Sequence, residues 1–288
     1  MLIRLDKYLA DTGFGTRSTV KQLIKKNAVT VDGITAKSPD AKVDTEKSVV
    51  TVNGKAVEYE TFEYYMLNKP AGIISASTDV REKTVVDIIS EKKRRDLFPV
   101  GRLDRDTVGL LLITNDGGLS QKLLAPGKHV EKVYLVRVTG KVDEEDIKAF
   151  EEGMDIGDEK LTKPARLMIK RIGMYNTAAQ RFVKNDVFDP EANTEVGVDT
   201  ILKDDGKTAS VTDMGANLQT ITELVSEAEV TLTEGRFHQI KRMFSERGHE
   251  VVYLKRIRMG SLQLDETLKE GEYRKLTEEE LKVLTGCN

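Results

Sequence analysis

Asx-Gly turn sequences that close short β-rich runs constrain the fold of this chain more than any other feature. Asp32-Gly33 follows the alternating run Val29–Val31, and Asn53-Gly54 follows a second such run. An Asx-Gly pair between alternating apolar residues is the strongest short-range signal for an antiparallel hairpin. Asn115-Asp116-Gly117 closes a more apolar run over 110–114. Hairpins mixed with helices, without regular βαβ repeats, favour an α+β fold over a doubly wound one.

Helical spacing of apolar residues precedes the first hairpin. Leu5 and Leu9 lie four residues apart, and a second apolar group recurs at helical spacing around Leu23. This pattern predicts two short amphipathic helices, the second capped by Thr16. Two helices followed by hairpins indicate a compact domain over residues 1–60.

The remaining residues, 61–288, are expected to form a larger domain. Further strands are predicted over 64–67, 73–76, 110–114, 132–139, 230–233 and 251–254, and helices over 84–89, 119–124 and 239–245. A length of 288 residues agrees with about two domains at roughly 150 residues each.

Composition excludes several classes of protein. The single cysteine, Cys287, rules out a disulfide scaffold and a cysteine-based metal cluster, and suits a reducing cytoplasm. The longest apolar run, at 110–113, is far short of a membrane span, so no membrane association is expected. Charges at Arg4, Asp6 and Lys7 interrupt any signal-peptide core. The three histidines lack metal-ligand spacing with carboxylates, and we expect no metal.

The net charge of −3 conceals basic and acidic regions. Residues 1–47 carry +3 and residues 231–260 carry +4, whereas residues 173–229 carry −7. Local fields decide phosphate attraction, because charges more than about 10 Å apart are largely screened. Two regions can therefore attract a polyanion. For the lysines of the second helix, an ordinary solvated face is the alternative.

The segment 101–107, Gly-Arg-Leu-Asp-Arg-Asp-Thr, contains the strongest catalytic candidate. It lies in a predicted loop ahead of an apolar strand, where a rigid scaffold can present side chains. Asp104 is ionised at neutral pH without activation and can act as nucleophile or base. Arg102 and Arg105 can hold it ionised and bind a phosphate. Taken alone, an Arg-Leu-Asp tripeptide is usually an ordinary surface ion pair.

Four segments, in order, resemble the motifs of pseudouridine synthases. They are 69–72 (Lys-Pro-Ala-Gly), 101–117, 132–134 (Lys-Val-Tyr) and 234–244. The His-Gln-Ile-Lys spelling at 238–241 resembles the branch that modifies small-subunit ribosomal RNA, the RsuA type. Residues 4–33 resemble the S4 RNA-binding domain that this branch carries. The resemblance implies an S4-like αα-β domain followed by a mixed, largely antiparallel-sheet catalytic domain.

Site residues follow from this resemblance, position by position. Asp104, directly after Arg-Leu, matches the catalytic aspartate. Tyr134 matches the tyrosine that stacks on the target base, and Lys241 matches the basic partner of the aspartate. Arg102 is expected beside the flipped nucleotide. The basic residues expected to contact RNA are Arg4, Lys7, Arg17, Lys21, Lys25, Lys69, Arg102, Arg236 and Arg242.

The implied reaction isomerises uridine to pseudouridine in 16S ribosomal RNA. No atoms are gained or lost, so we expect no cofactor, and the protein is expected to be a cytoplasmic monomer with ribosomal RNA as its partner. A target uridine inside folded RNA must be flipped out to be reached. A non-catalytic RNA-binding or ribosome-assembly protein is the alternative, as is the same reaction on large-subunit RNA.

The acidic stretch at 173–222 departs from the pattern of that branch, where a shorter connection is usual. Because it carries negative charge, it should project away from RNA phosphates. Strand-like residues at 196–198 and 200–202 predict a small hairpin, since structureless loops of this length are uncommon. We interpret the stretch as an insertion in the catalytic domain.

Overall fold

The computed structural model describes residues 1–176, 180–183 and 222–286 of the chain. These residues belong to two compact units. The first unit comprises Met1–Lys128 and Ser261–Asn288, and the second comprises His129–Gly260. Most of the acidic insertion, with its predicted hairpin at 196–202, lies outside the described residues, as does Cys287.

The first unit begins with two helices and short antiparallel strands. Its elements up to residue 57 are β1 (Leu2–Arg4), α1 (Leu5–Asp11), α2 (Arg17–Lys25), β2 (Val29–Val31), β3 (Ile34–Thr35), β4 (Lys42–Asp44), β5 (Val50–Val52) and β6 (Lys55–Val57). Strand β1 pairs with β4, and a second sheet has the order β3-β2-β5-β6. The predicted cap of α2 is confirmed, because the Thr16 hydroxyl accepts a hydrogen bond from the Thr19 N–H at 3.2 Å.

Both predicted hairpin turns are confirmed. Asp32 and Gly33 have φ values of 52° and 80°, and Asn53 and Gly54 have 52° and 76°. Positive φ at both central residues matches the right-handed twist of the flanking strands, and Asx-Gly pairs adopt it at the least cost.

This part of the chain has its own hydrophobic core. Both helices and four of the strands contribute buried side chains, among them Leu5, Leu9, Val20, Ile24, Val29, Val43, Val50 and Val52. A contiguous apolar cluster of this kind is the ordinary mark of a folding module. The boundary near residue 60 remains a prediction, because the compact units divide the chain elsewhere.

Arg94 joins this small core to the chain that follows it. Its guanidinium is buried, at 2% exposure, and pairs with Asp96 at 2.7 Å and with Asp11 of α1 at 3.2 Å. It also lies over the Tyr59 ring, 4.8 Å from the centroid, and the Tyr59 hydroxyl donates to Asp11 at 2.9 Å. One buried cation therefore links three segments of the first unit.

The rest of the first unit surrounds an apolar strand. Its elements are β7 (Tyr64–Lys69), α3 (Val85–Ile88), β8 (Phe98–Pro99), β9 (Val108–Thr114), α4 (Gly117–Leu124), a 3-10 turn (Pro126–Lys128), β15 (Leu262–Gln263), β16 (Tyr273–Lys275) and α7 (Glu278–Thr285). Strand β7 pairs antiparallel with β9 and β16, and β8 pairs with β9. All seven residues of β9 are buried, which explains the apolar run over 108–113.

One local prediction in this region is wrong. Residues 73–76 form no strand, and only Ile74 makes an isolated bridge, to Thr84. The Ser75 side chain instead ties this segment to the backbone of Leu103. The predicted end of the apolar strand at Asn115-Asp116-Gly117 is confirmed, because β9 ends at Thr114 and Asp116 caps the helix α4 that follows, accepting from the Leu119 N–H at 3.0 Å.

The second unit is an antiparallel sheet with two helices. Its elements are β10 (Lys132–Thr139), α5 (Glu144–Glu152), β11 (Arg166–Asn176), β12 (Arg181–Phe182), β13 (Thr222–Leu232), α6 (Gln239–Glu246) and β14 (Val251–Met259). The strand order is β12-β11-β13-β10-β14. Strand β10 has the predicted bounds, whereas β13 and β14 are longer than predicted. The α+β class is confirmed.

Candidate active site

Asp104 lies in the loop 101–107, between β8 and β9 of the first unit. Its side chain is half-buried, whereas Arg102 and Arg105 beside it are exposed. Leu103 points inward, at 6% exposure, and anchors the loop. Arg105 forms an ion pair with Glu82 at 2.9 Å. The loop therefore presents a carboxylate and a neighbouring exposed arginine, Arg102, from a fixed backbone.

A buried lysine fixes that backbone from behind. Lys69, at the end of β7, has 0% exposure. Its ammonium donates to the carbonyls of Arg105 at 3.1 Å, Thr107 at 2.9 Å and Pro70 at 3.1 Å. The Gly72 N–H adds a bond to the Arg105 carbonyl at 2.8 Å. The segment 69–72 thus supports the loop that carries Asp104.

The surroundings of Lys69 differ from those that the sequence predicts. We expected it to contact RNA, but its ammonium is enclosed and directed at three carbonyls. Burial lowers its pKa to about 8, against the opposing influence of the Asp106 and Asp104 carboxylates. At neutral pH the group is still mostly charged, so it can donate three hydrogen bonds, two of them to the loop carbonyls of Arg105 and Thr107.

Tyr134 lies on β10 of the second unit, opposite Val230 of β13 and Arg256 of β14. It is 8% exposed and Arg256 is 2% exposed. Burial, together with the charge of Arg256, lowers the pKa of the neighbouring Lys132. Arg256 was not anticipated, because the strand predicted over 251–254 stops short of it.

Lys241 lies on α6 and is half-buried. The turn before this helix is tied by Gln239, whose side-chain oxygen accepts from the Arg236 N–H at 2.9 Å. The Gln239 side-chain amide donates to Glu234 at 2.8 Å. His238, the N-cap residue, has a left-handed φ of 49°. The positions of residues 236–241 are therefore set by the turn as well as by the helix.

Arg236 and Arg242 direct their guanidinium groups at the loop 156–161 of the same unit. Arg236 donates to the carbonyls of Lys160 and Leu161, both at 2.6 Å. Arg242 donates to Asp158 at 2.7 Å and to the Ile156 carbonyl at 2.8 Å. Asp158 also pairs with Arg236 at 3.3 Å. We refer to these contacts as the Asp158 clamp.

The Asp158 clamp was not predicted. Hydrogen bonds from Arg242 and then from Arg236 lower the pKa of Asp158, so the carboxylate stays ionised over the neutral range. Asp158 stands about 80 residues before its partners, in a loop with no periodic pattern. No local sequence signal connects it to Arg236 and Arg242, which were predicted to contact RNA.

The basic residues of the N-terminal helices differ in their surroundings. Arg17, Lys21 and Lys25 of α2 are exposed. Arg4 pairs with Asp6 at 2.8 Å and with Asp40, and Lys7 pairs with Asp11 at 2.7 Å. The α2 residues are consequently the better placed of the five to meet a phosphate.

The predicted site residues fall in both units. Asp104, Arg102 and Lys69 share one loop region of the first unit, and Tyr134 and Lys241 belong to the second. The grouping of Asp104 with Tyr134 and Lys241 remains a prediction. In the ranges 1–176, 180–183 and 222–286, no cluster of three or more His, Cys, Asp or Glu side chains could hold a metal ion. In those same ranges no helix is long and apolar enough to span a bilayer.

Comparisons with known proteins cover nearly the whole chain. Residues 63–246 match the family described as RNA pseudouridylate synthase, and residues 3–49 match the S4 domain. An uncharacterized RNA pseudouridine synthase of Bacillus subtilis, YtzG, is 41% identical over 98% of this chain and 98% of its own length.

A ribosomal small subunit pseudouridine synthase A of Vibrio cholerae is 34% identical over 97% of this chain and 98% of its own. The crystal structure of a pseudouridylate synthase aligns with a TM-score of 0.56 and 31% identity, over 98% of this chain and 99% of that one.

Proposed function

From the premise that this chain belongs to the RNA pseudouridylate synthase family, we propose that it isomerises a uridine of 16S ribosomal RNA with Asp104 as its catalytic carboxylate. The activity class follows from the family, and the S4 domain is an RNA-binding module. One observation carries the choice of residue: Asp104 is half-buried on a loop whose backbone is held by a buried ammonium. The relative named ribosomal small subunit pseudouridine synthase A supports the choice of substrate.

For this reaction the protein has to position the nucleoside and transfer protons. The bond between N1 and C1′ breaks, the uracil turns, and a bond from C5 to C1′ forms. The C5 proton leaves and N1 gains one, so atoms and electrons balance within the nucleoside. Asp104 either attacks the nucleoside or stabilises positive charge at C1′.

Tyr134 and Lys241 complete the proposed site. The Tyr134 ring stacks on the flipped uracil, and its hydroxyl can move the C5 proton. Lys241 keeps Asp104 ionised by charge. Exposed Arg102 meets the phosphate of the flipped nucleotide or fills the space that the base leaves. No cofactor is needed, and the substrate places the protein in the cytoplasm, acting as a monomer on ribosomal RNA or its assembly intermediates.

The test compares wild type with Asp104→Asn on transcribed 16S RNA and on partly assembled small subunits. The substitution is nearly isosteric and removes the charge, so tritium release from uridine-labelled RNA should fall below detection while RNA affinity is kept. Asp106→Asn is the matched control, because Asp106 is exposed on the same loop, and it should retain turnover within about tenfold.

Each outcome of that test bears on one part of the proposal. If Asp104→Asn turned over within tenfold of wild type, the catalytic role would pass to another group. Pseudouridines found only in large-subunit RNA would overturn the substrate. A wild-type protein that binds RNA but leaves every uridine unchanged would support the non-catalytic alternative.

The S4 domain is proposed to supply phosphate contacts through the exposed face of α2. Such contacts position RNA and make affinity salt-dependent. Replacing Lys21 and Lys25 with Gln should lower the slope of log affinity against log salt by about 1.5, since each lost contact removes roughly 0.7 to 0.9. The same change at Lys269 and Lys282, also exposed, is the control. An unchanged slope in the first pair would make α2 an ordinary solvated face.

A further inference from the structure

Phe237 is unusually exposed for an aromatic side chain. Among the residues that the structure describes, only Phe62 and Phe237 are exposed aromatics, at 47% and 74%. Scattered exposed apolar residues are normal and need no explanation. Phe237 differs because it lies in a tightly constrained turn, in the segment that carries Lys241.

The Phe237 ring sits on a backbone held from several directions. The Phe237 carbonyl accepts from the Arg242 side chain at 2.9 Å. The Gln239 side chain accepts from the Arg236 N–H and donates to Glu234. The ring stacks on the His238 imidazole, with centroids 3.8 Å apart and planes 17° apart. A flat apolar surface that is held in place before binding loses little conformational entropy when a ligand arrives.

We propose that Phe237, backed by His238, is a stacking platform for an unpaired RNA base next to the target uridine. The inference rests on the proposed function, which places Lys241 in the active site. Phe237 is four residues from Lys241, so their Cα atoms lie no more than about 14 Å apart. That distance is within reach of a nucleotide neighbouring the one that reacts.

The chemistry of the surroundings favours a base over other occupants. The segment 231–260 carries +4, which suits a polyanion. Arg236 and Arg242 use hydrogen-bond donors on the loop 156–161 and on the Phe237 carbonyl. The exposed Phe237 ring is therefore the group of this turn that we expect to contact RNA. A protein partner would need about 800 Å² of surface, far more than one ring provides. An aromatic face accepts any base, because every base has a π-face.

The test uses full-length Phe237→Leu, Phe237→Trp and Phe237→Ala. Loss of base–aromatic stacking should weaken binding of 16S RNA by about 5- to 150-fold in the Leu and Ala variants, whereas Trp should keep wild-type affinity. Phe62→Leu, at the other exposed ring, is the matched control and should bind normally. Thermal unfolding should not change, since the side chain is mostly in water. RNA containing 5-iodouridine should crosslink to wild type at Phe237.

A Leu variant that binds RNA like wild type, or a Trp variant that fails to restore binding, would overturn the stacking role. That failure is distinguishable from failure of the proposed function. If wild type forms pseudouridine while Phe237→Leu binds normally, only the platform is lost. If wild type forms none but Phe237→Leu loses affinity and the crosslink, the platform stands and the proposed reaction falls.

Discussion

Two loops hold residues assigned to catalysis and RNA binding, and they are fixed by different means. The loop 101–107 is held by the enclosed ammonium of Lys69, which donates to three backbone carbonyls. The turn before α6 is held by the Asp158 clamp, where guanidinium groups meet a carboxylate and carbonyls at partly exposed positions.

The difference decides what each loop tolerates. The Lys69 ammonium is enclosed, so its removal takes this donor from the carbonyls of Pro70 and Thr107, whereas the Arg105 carbonyl keeps the Gly72 N–H. Partly exposed ion pairs are screened by salt and contribute little each. A lysine can lose its proton in the alkaline range, whereas an arginine cannot. We therefore expect a stiff, titratable support under Asp104 and a softer, salt-sensitive one under Lys241.

The largest effect is expected from Lys69→Met. It keeps an apolar stem of similar length but removes every donor, so the free energy of unfolding should fall by about 3 kcal/mol. Turnover should fall at least 100-fold while RNA affinity changes less. Denaturant titration and tritium release measure the two. Lys83→Met, at an exposed position of the same unit, is the control and should match wild type. A loss of stability below about 1 kcal/mol would remove the contrast between the loops.

An intermediate effect is expected from alkaline pH. The pKa of Lys69 is about 8 in the folded protein, below the roughly 10.4 of an unfolded chain. Between those values the unfolded chain binds more protons, so stability from this group rises with pH and is constant below pH 8. Between pH 8 and pH 10, wild type should gain about 2 kcal/mol relative to Lys69→Met. Parallel stability curves for the two proteins would mean that Lys69 does not titrate there.

The smallest effect is expected from Asp158→Asn. The amide keeps the shape but not the charge, and Arg236 retains the carbonyls of Lys160 and Leu161. RNA affinity should fall about two- to fivefold at low salt, and the difference should shrink at high salt as screening weakens the wild-type pair. Filter binding at several salt concentrations measures this. Glu159→Gln, exposed in the same loop, should have no effect. A fall in turnover as large as the one expected for Lys69→Met would show that the two supports constrain their loops to the same degree.

Local features of the fold could be predicted from the sequence, because their causes are local. The Thr16 cap, the two Asx-Gly hairpins and the bounds of β10 depend on residues a few positions apart. One local prediction, the strand at 73–76, was wrong because a tertiary hydrogen bond prevailed at Ser75.

The supports of the site could not be predicted in the same way. The sequence motifs predicted Asp104, Tyr134 and Lys241 as catalytic residues, and their meeting in one site is still a prediction. The roles of Lys69 and Asp158 depend on contacts made tens of residues away in sequence. A lysine that binds carbonyls and one that binds phosphate look the same in a sequence, since only burial separates them.

The buried Arg94 has a consequence for the exchange of modules between related enzymes. One of its two counter-charges, Asp11, and its stacking partner, Tyr59, both stand before the predicted boundary near residue 60. In a chimera that takes its N-terminal module from another enzyme, the enclosed guanidinium of Arg94 would contact the residues that this module carries in place of Asp11 and Tyr59. Compatible donors are those with an acidic residue and an aromatic one there. The position at which modules can be exchanged thus depends on this contact, because a cut near residue 60 would leave Arg94 with Asp96 alone as its counter-charge.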